Sequence, residues 1–153
     1  MNAYEEKLWK FVEKHSVKAE FFRFEESCHS VKEAAQRIHA EKNDLVKNIC
    51  FVLSDGEIIV AIVRGNDGIR VSKIREIFSK NARIMGAEEI LQRTGYPCGG
   101  VPSFGFNTVF LMDKKVMEKE FVYTSGGSEN SLIRISTTDL IKLNKGIIAN
   151  IRK

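Results

Sequence analysis

Lys47 interrupts a nearly apolar run, LVKNICFVL, from Leu45 to Leu53. On a strand it shares parity with Leu45, Ile49, Phe51 and Leu53, while Val46, Cys50 and Val52 take the other side. Both faces therefore look covered, so the ammonium must snorkel to water, pair with a carboxylate or face a polar cavity. A strand-end lysine reaching solvent fits this pattern as well as one that stabilises negative charge. Asn48 beside it adds only a little weight to the chemical reading.

A second stretch, TGYPCGGVPSFGF from Thr94 to Phe106, holds both prolines of the chain and four of its eleven glycines. Glycine permits positive φ and close approach of a ligand, and proline fixes φ and removes a donor. Gly95 follows an expected helix and has the position of a left-handed cap. Gly99, Gly100, Val101, Pro102 and Gly105 exceed what a cap requires. They could form a wall of backbone N–H groups for a carbonyl, carboxylate or phosphate. Neither GxGxxG after a strand nor GxxxxGK[ST] occurs, so no nucleotide fingerprint is present. Ser125-Gly126-Gly127 is a weaker signal, since Gly-Gly between two strands commonly makes a turn.

Cys98 lies inside the glycine loop, where a nucleophile would need a base and a lowered pKa. His29 or His39 would have to supply that base, and nothing in the sequence brings either close. Cys28, Cys50 and Cys98 are odd in number without CxxC spacing, and His15, His29 and His39 make no HExxH pattern. A disulfide framework and a metal site are therefore not expected. The central basic residues, among them Lys42, Lys47, Arg64, Arg70, Lys73 and Arg75, would suit a phosphate-facing surface or simply a solvated one.

The elements that must position these residues follow from periodicity. Tyr4–His15 has a helical stripe of Leu8, Phe11 and Val12, and Ala19–Glu25 reads as a strand. Ser30 to Glu33 has capping-box spacing and opens a helix through Ile38. Leu45–Leu53 and Ile58–Arg64 form a hairpin across SDGE. Ser72 is placed to cap a short helix with Ile74, Ile77 and Phe78 inward, and Ala87–Arg93 forms another. Thr108–Met112 is a strand, after which Asp113 is placed to cap a helix through Val116 and Met117. Phe121–Thr124 and Leu132–Ile135 are strands, and Thr137 or Thr138 begins a last helix. The expectation is α+β: one compact domain over residues 1–153, with a curved, mixed, largely antiparallel sheet flanked by helices. At 153 residues, 43% hydrophobic and 29% charged, a single soluble domain is expected. The net charge of +4 permits a polyanionic partner without demanding one. No run suggests a membrane span or secretory signal, so the expected location is the cytoplasm.

HSVKEAA from His29, VKNICFVL with Lys47, TGYPCGGVPSFG from Thr94, the strand ending at Asp113, SGG at Ser125 and TDLIKL follow one another along nearly the whole chain. That ordered set resembles the YbaK/prolyl-tRNA synthetase-associated domain family, aminoacyl-tRNA deacylases that remove misattached amino acids. The resemblance implies a pocket between the lysine strand and the glycine-proline loop, with Lys47 as the catalytic position. It places substrate contacts at His29, Ser30, Asn48, Gly95, Gly99, Gly100, Val101, Pro102, Gly105, Ser125, Gly126 and Gly127. The implied reaction is hydrolysis of the ester of a small amino acid (alanine, cysteine or serine) on tRNA, with tRNA(Pro) first. The implied partners are the acceptor end of aminoacyl-tRNA and a prolyl-tRNA synthetase, with no metal or organic cofactor. Two departures bear on the amino acid: Pro102-Ser103 stands where many relatives have Pro-Pro, and Ser128-Glu129-Asn130-Ser131-Leu132 replaces a basic residue, glycine and nearby acid. Two rival readings remain, a non-catalytic module that binds an aminoacyl or adenosine end, and a cysteine hydrolase using Cys98.

Overall fold

The computed structural model describes every residue except His29. Its elements run α1 (Ala3–Lys14), β1 (Ala19–Arg23), α2 (Val31–Arg37), β2 (Val46–Leu53), β3 (Ile58–Arg64), α3 (Val71–Phe78), β4 (Ala82–Ile84), α4 (Ala87–Thr94), β5 (Val109–Asp113), β6 (Phe121–Ser125), β7 (Ser131–Ser136), α5 (Thr137–Asn144) and β8 (Ile147–Ala149). The expected α+β class with mixed strands is present. The strands are divided between a three-stranded antiparallel sheet, β1-β7-β6, and a five-stranded sheet, β4-β2-β3-β5-β8. In the larger sheet β2 is antiparallel to β3 and β4, and β5 is parallel to β3 and β8. A single parallel bridge between Leu45 and Tyr123 links the two sheets just before β2 begins.

Side-chain alternation along β2 divides the core as its parity requires. Val46, Cys50 and Val52 join a cluster with Leu8 and Val12 of α1, Ile90 of α4, Leu140 of α5, and Val122 and Ile133 of the small sheet. Phe51 and Leu53 pack on the opposite face with Ile59, Ala61, Val63, Leu111 and Ile74 of α3. Each fully buried Ile or Leu contributes about 1.5–3 kcal/mol of transfer free energy. A third, small cluster of Ala34, Ala35, Leu45 and Leu132 seats α2 over the junction of the sheets.

Several local expectations are corrected. Ser72 lies inside α3, whose N-cap is Arg70 with no side-chain cap, and Ile77 is exposed while Ile74 is buried. Asp113 ends β5 instead of capping an α-helix; only a 3-10 turn, Val116–Glu118, follows. Its buried carboxylate accepts from the N–H groups of Lys115 and Ile151 and faces the guanidinium of Arg152. α5 begins at Thr137 as expected, and Ser136 caps it, its hydroxyl accepting from the Asp139 N–H. The short strands β4 and β8 carry too few residues to show alternation. At α1, Asn2 and Glu5 form a reciprocal capping box, so Glu5 is held where it can reach the β6–β7 turn.

Candidate active site

A cavity of about 230 Å³ lies at the junction of the two sheets. β4 pairs with β2 only over Phe51–Leu53 and the Leu45–Tyr123 bridge stands just before β2, which leaves Lys47–Ile49 with no strand partner on that side among the described residues. Leu45, Val46, Lys47 and Asn48 line the cavity along that edge. Gly65 N–H donates to Leu45 O at 2.9 Å, so that residue pair is the hydrogen-bonded kind. Antiparallel alternation with β3 then turns the N–H and C=O of Asn48 outward, away from β3. Facing this edge are Gly99 and Val101 of the glycine loop and Ser125 at the end of β6. Cys28, Ser30, Val31 and Ala34 around the α2 N-terminus, with Ser128, Glu129, Ser131 and Leu132, complete the wall.

Lys47 is half-buried. Its ammonium has no carboxylate within ion-pair distance among the described residues. Glu129, the one carboxylate among the described lining residues, is not within ion-pair distance of Lys47, so the ammonium is available to charge that arrives with a ligand.

Three walls are locked together by a ring of hydrogen bonds. Asn48 Nδ2 donates to Val101 O at 2.9 Å and to Thr124 Oγ1 at 3.1 Å, and Ser103 Oγ donates to Asn48 Oδ1 at 2.6 Å. Val101 O only accepts, so Nδ2 must face it and Oδ1 must face Ser103. Ser103 has a single hydroxyl proton, committed to Asn48. The 2.8 Å contact between Ser103 and Thr124 is therefore donated by Thr124. The ring ties β2 beside Lys47, the loop beside Val101, and β6 beside Ser125. Asn144 Nδ2 adds a bond from α5 to Ser103 O at 3.1 Å.

A second polar chain fixes the β6–β7 turn. Ser128 Oγ donates to Glu5 Oε2 at 3.1 Å, lies 2.8 Å from Ser131 Oγ, and accepts the Asn130 N–H. Burial pushes the pKa of Glu5 up. Hydrogen bonds from the Asn2 N–H, Ser128 and Arg23 more than offset this and leave it below the ordinary carboxylate value.

Of the residues the sequence singled out, Lys47, Ser30, Asn48, Gly99, Val101 and Ser125 border the cavity. His29 lies outside the described residues. Gly95 is the left-handed cap of α4 at φ 79°, and Gly105, at φ 94°, packs its backbone on Leu8. Gly100, Pro102, Gly126 and Gly127 are buried behind the lining residues. The Gly100 N–H is already donated to Pro97 O at 2.9 Å, so it is not part of a free donor wall. A Cβ at Gly100 would stand 2.7 Å from Gly127 O and 2.8 Å from Ser128 Cα, so this glycine is where the loop and the turn touch. Cys98 is exposed and does not line the cavity.

Sequence reasoning assigns no site contact to Cys28, Ser103, Thr124, Glu129 or Ser131, whose spacing carries no motif; only their contacts in space join them to the site. Cys28 lines the cavity. Burial pushes its thiol pKa up, Arg37 pulls it down less, and Glu33 adds to the rise. A thiol of that kind stays protonated and is a poor nucleophile. Among the described residues, no group of three His, Cys, Asp or Glu side chains is arranged to hold a metal ion. No helix in the described residues is long and apolar enough to cross a membrane.

Residues 25–143, which include all the residues lining this cavity, match the aminoacyl-tRNA editing domain. The chain belongs to that family. It is 35% identical over 111 residues to a proline–tRNA ligase of Maridesulfovibrio salexigens, covering 71% of this chain and 19% of the ligase. It is 22% identical over 147 residues to the candidate Cys-tRNA(Pro)/Cys-tRNA(Cys) deacylase EbsC of Enterococcus faecalis, covering 93% and 90% of the two chains. A crystal structure of a candidate trans-editing enzyme for prolyl tRNA synthetase superposes with a TM-score of 0.91 at 24% identity, over 100% of this chain and 99% of that one. That likeness shows a shared fold.

Proposed function

We propose that this editing domain hydrolyses the ester joining a small misattached amino acid to the 3′ end of tRNA, acting in trans on tRNA(Pro) charged with alanine, cysteine or serine. The observation that carries the reading is the cavity itself, bordered by a lysine with no carboxylate within ion-pair distance among the described residues and by a glycine loop opposite. Ester cleavage builds negative charge on the carbonyl oxygen, and preorganised donors at such a position are worth roughly 10²–10³ in rate each. Lys47 and the outward N–H of Asn48 are the donors this proposal assigns to that oxygen. Ser30 and Ser125 are assigned to the ribose or the amino group. The attacking group is a water or a hydroxyl of the substrate, since the cavity thiol of Cys28 is held protonated and Cys98 lies outside.

Size supports a small amino acid. Pockets for drug-sized ligands begin at ~300 Å³, and this cavity is about 230 Å³. Its apolar end is Val31, Ala34, Leu45 and Leu132, branched or buried side chains that leave little slack for a ring. One methylene yields only ~1–3 kcal/mol of discrimination. The site is therefore expected to be permissive among small side chains and strict against aromatic ones. The name of the proline–tRNA ligase relative supports proline as the tRNA identity, with a prolyl-tRNA synthetase as partner. A binding module that keeps the ester intact is separated from the deacylase by one assay: incubation with mischarged tRNAs, following ester loss. Turnover of the small amino acids supports hydrolysis; stable complexes without turnover would replace it with binding.

A further inference from the structure

A second cavity, about 310 Å³, opens between the start of α3 and the segment after β8, lined by Arg70, Lys73, Asn150, Arg152 and Lys153. Backbone pairing builds it. Ile69 bridges Arg152, Arg70 N–H donates to Ile151 O at 2.8 Å, and Lys153 N–H donates to Gly68 O at 3.0 Å. Four cationic side chains are thereby gathered around one opening. Arg152 is the anchored member: its Nε stands 2.7 Å from Asp113 Oδ2, and its Nη2 donates to Asn150 Oδ1 at 3.2 Å. The Nε contact lies off the line of a hydrogen bond, so the buried carboxylate holds the guanidinium by charge. Lys73 has only a loose 3.8 Å pair with exposed Glu76. No side chain caps α3, so the positive end of that helix faces the same region.

Position gives this cavity a meaning. The ester cavity lies at the start of β2, which pairs with the end of β3 at Val46 and Arg64. The basic cavity lies just past the ends of β3, β5 and β8, which run parallel. Both therefore open at the same end of the five-stranded sheet, where β2 and β8 stand three strand spacings or about 14 Å apart. That is a separation a few nucleotides can span. A 3′ end seated in the first cavity carries its own phosphates past the second.

We propose that the cavity of Arg70, Lys73, Arg152 and Lys153 binds a backbone phosphate of the tRNA acceptor arm while the aminoacyl end occupies the cavity of Lys47. This rests on the deacylase reading for the orientation of the RNA, and its contacts are to phosphate, so they carry no sequence information. The test is binding of a labelled, uncharged acceptor-stem hairpin to the full chain over a range of salt. Arg70→Gln/Lys73→Gln removes two exposed charges and leaves the Arg152–Asp113 pair intact. It should weaken hairpin binding about tenfold and lower the salt slope by about 1 to 2. Lys10→Gln/Lys14→Gln, two exposed lysines of α1, is the control with equal charge removed and should bind as the wild type does. Unchanged affinity and slope in Arg70→Gln/Lys73→Gln, or equal weakening in the control, overturns the proposal. Ester hydrolysis by the wild type is measured separately. Its absence would sink the deacylase reading and leave the binding result to stand or fall alone.

Discussion

Ser103→Ala should cost more than the loss of one exposed hydroxyl, because Ser103 is a link in a closed ring. The residue is fully buried, and its hydroxyl donates to Asn48 Oδ1 and accepts from Thr124. Removing it leaves the partly buried Oδ1 of Asn48 and the buried O–H of Thr124 without partners, each costing about 1–3 kcal/mol. The sum is about 2–6 kcal/mol, and for a chain of this length that corresponds to a fall in Tm of about 4–24 °C. Calorimetry or thermal denaturation followed by circular dichroism reads it directly. Thr124→Val opens the same ring, so the double variant should lose less than the two singles together, with a coupling of about 1–2 kcal/mol. Thr108→Val, whose hydroxyl donates to Ile58 O outside the ring, is the comparison and should add independently. Strict additivity of Ser103→Ala and Thr124→Val, or a Ser103→Ala protein as stable as wild type, would refute the ring and the locking of the three cavity walls.

Gly100→Val should lower stability and turnover together, since its Cβ meets backbone atoms of Gly127 and Ser128 that cannot rotate aside; a stable but inactive variant would show that the glycine acts on the substrate alone. Cys98→Ala should keep most activity, because the side chain is exposed and does not line the cavity; a folded, inactive variant would restore the cysteine-hydrolase reading. Glu5 has a folded-state pKa below its unfolded value, so its contribution is complete above the unfolded pKa, above about pH 5, and is lost as pH falls through the lowered folded value. Glu5→Gln should accordingly flatten the acid limb of the stability–pH curve, and an unchanged limb would remove Glu5 as the acid-sensitive anchor of the β6–β7 turn.

Long periodic segments were legible in the sequence because burial and parity act on many residues at once. The β2–β3 hairpin, α1, α4 and the α+β class came from that signal. Asp113 was misread because its carboxylate serves partners 38 residues away in sequence, at Ile151, as well as its neighbour Lys115. Propensity sees only the local half of such a group. In the same way, Ser103 was noticed only as a departure from Pro-Pro, while its hydroxyl closes contacts across 55 and 21 residues. Gly99 and Val101 of the glycine loop border the cavity, yet the loop's glycines do different work: Gly99 faces the cavity, Gly95 ends a helix, and Gly100 seats one loop on another. Type and spacing alone could not sort these roles, since each depends on what lies opposite in space.

The central claim is that Lys47 acts on an aminoacyl ester in this cavity. Initial rates of ester loss from Ala-, Cys-, Ser-, Thr-, Pro- and Phe-charged tRNA, for wild type and Lys47→Ala at one salt concentration, test it most directly. The account predicts fast release of the small amino acids, sparing of phenylalanine, and a loss of roughly 10²-fold or more in a normally folded Lys47→Ala protein. Rapid release of phenylalanine with the small amino acids spared, or full activity in Lys47→Ala, would contradict it.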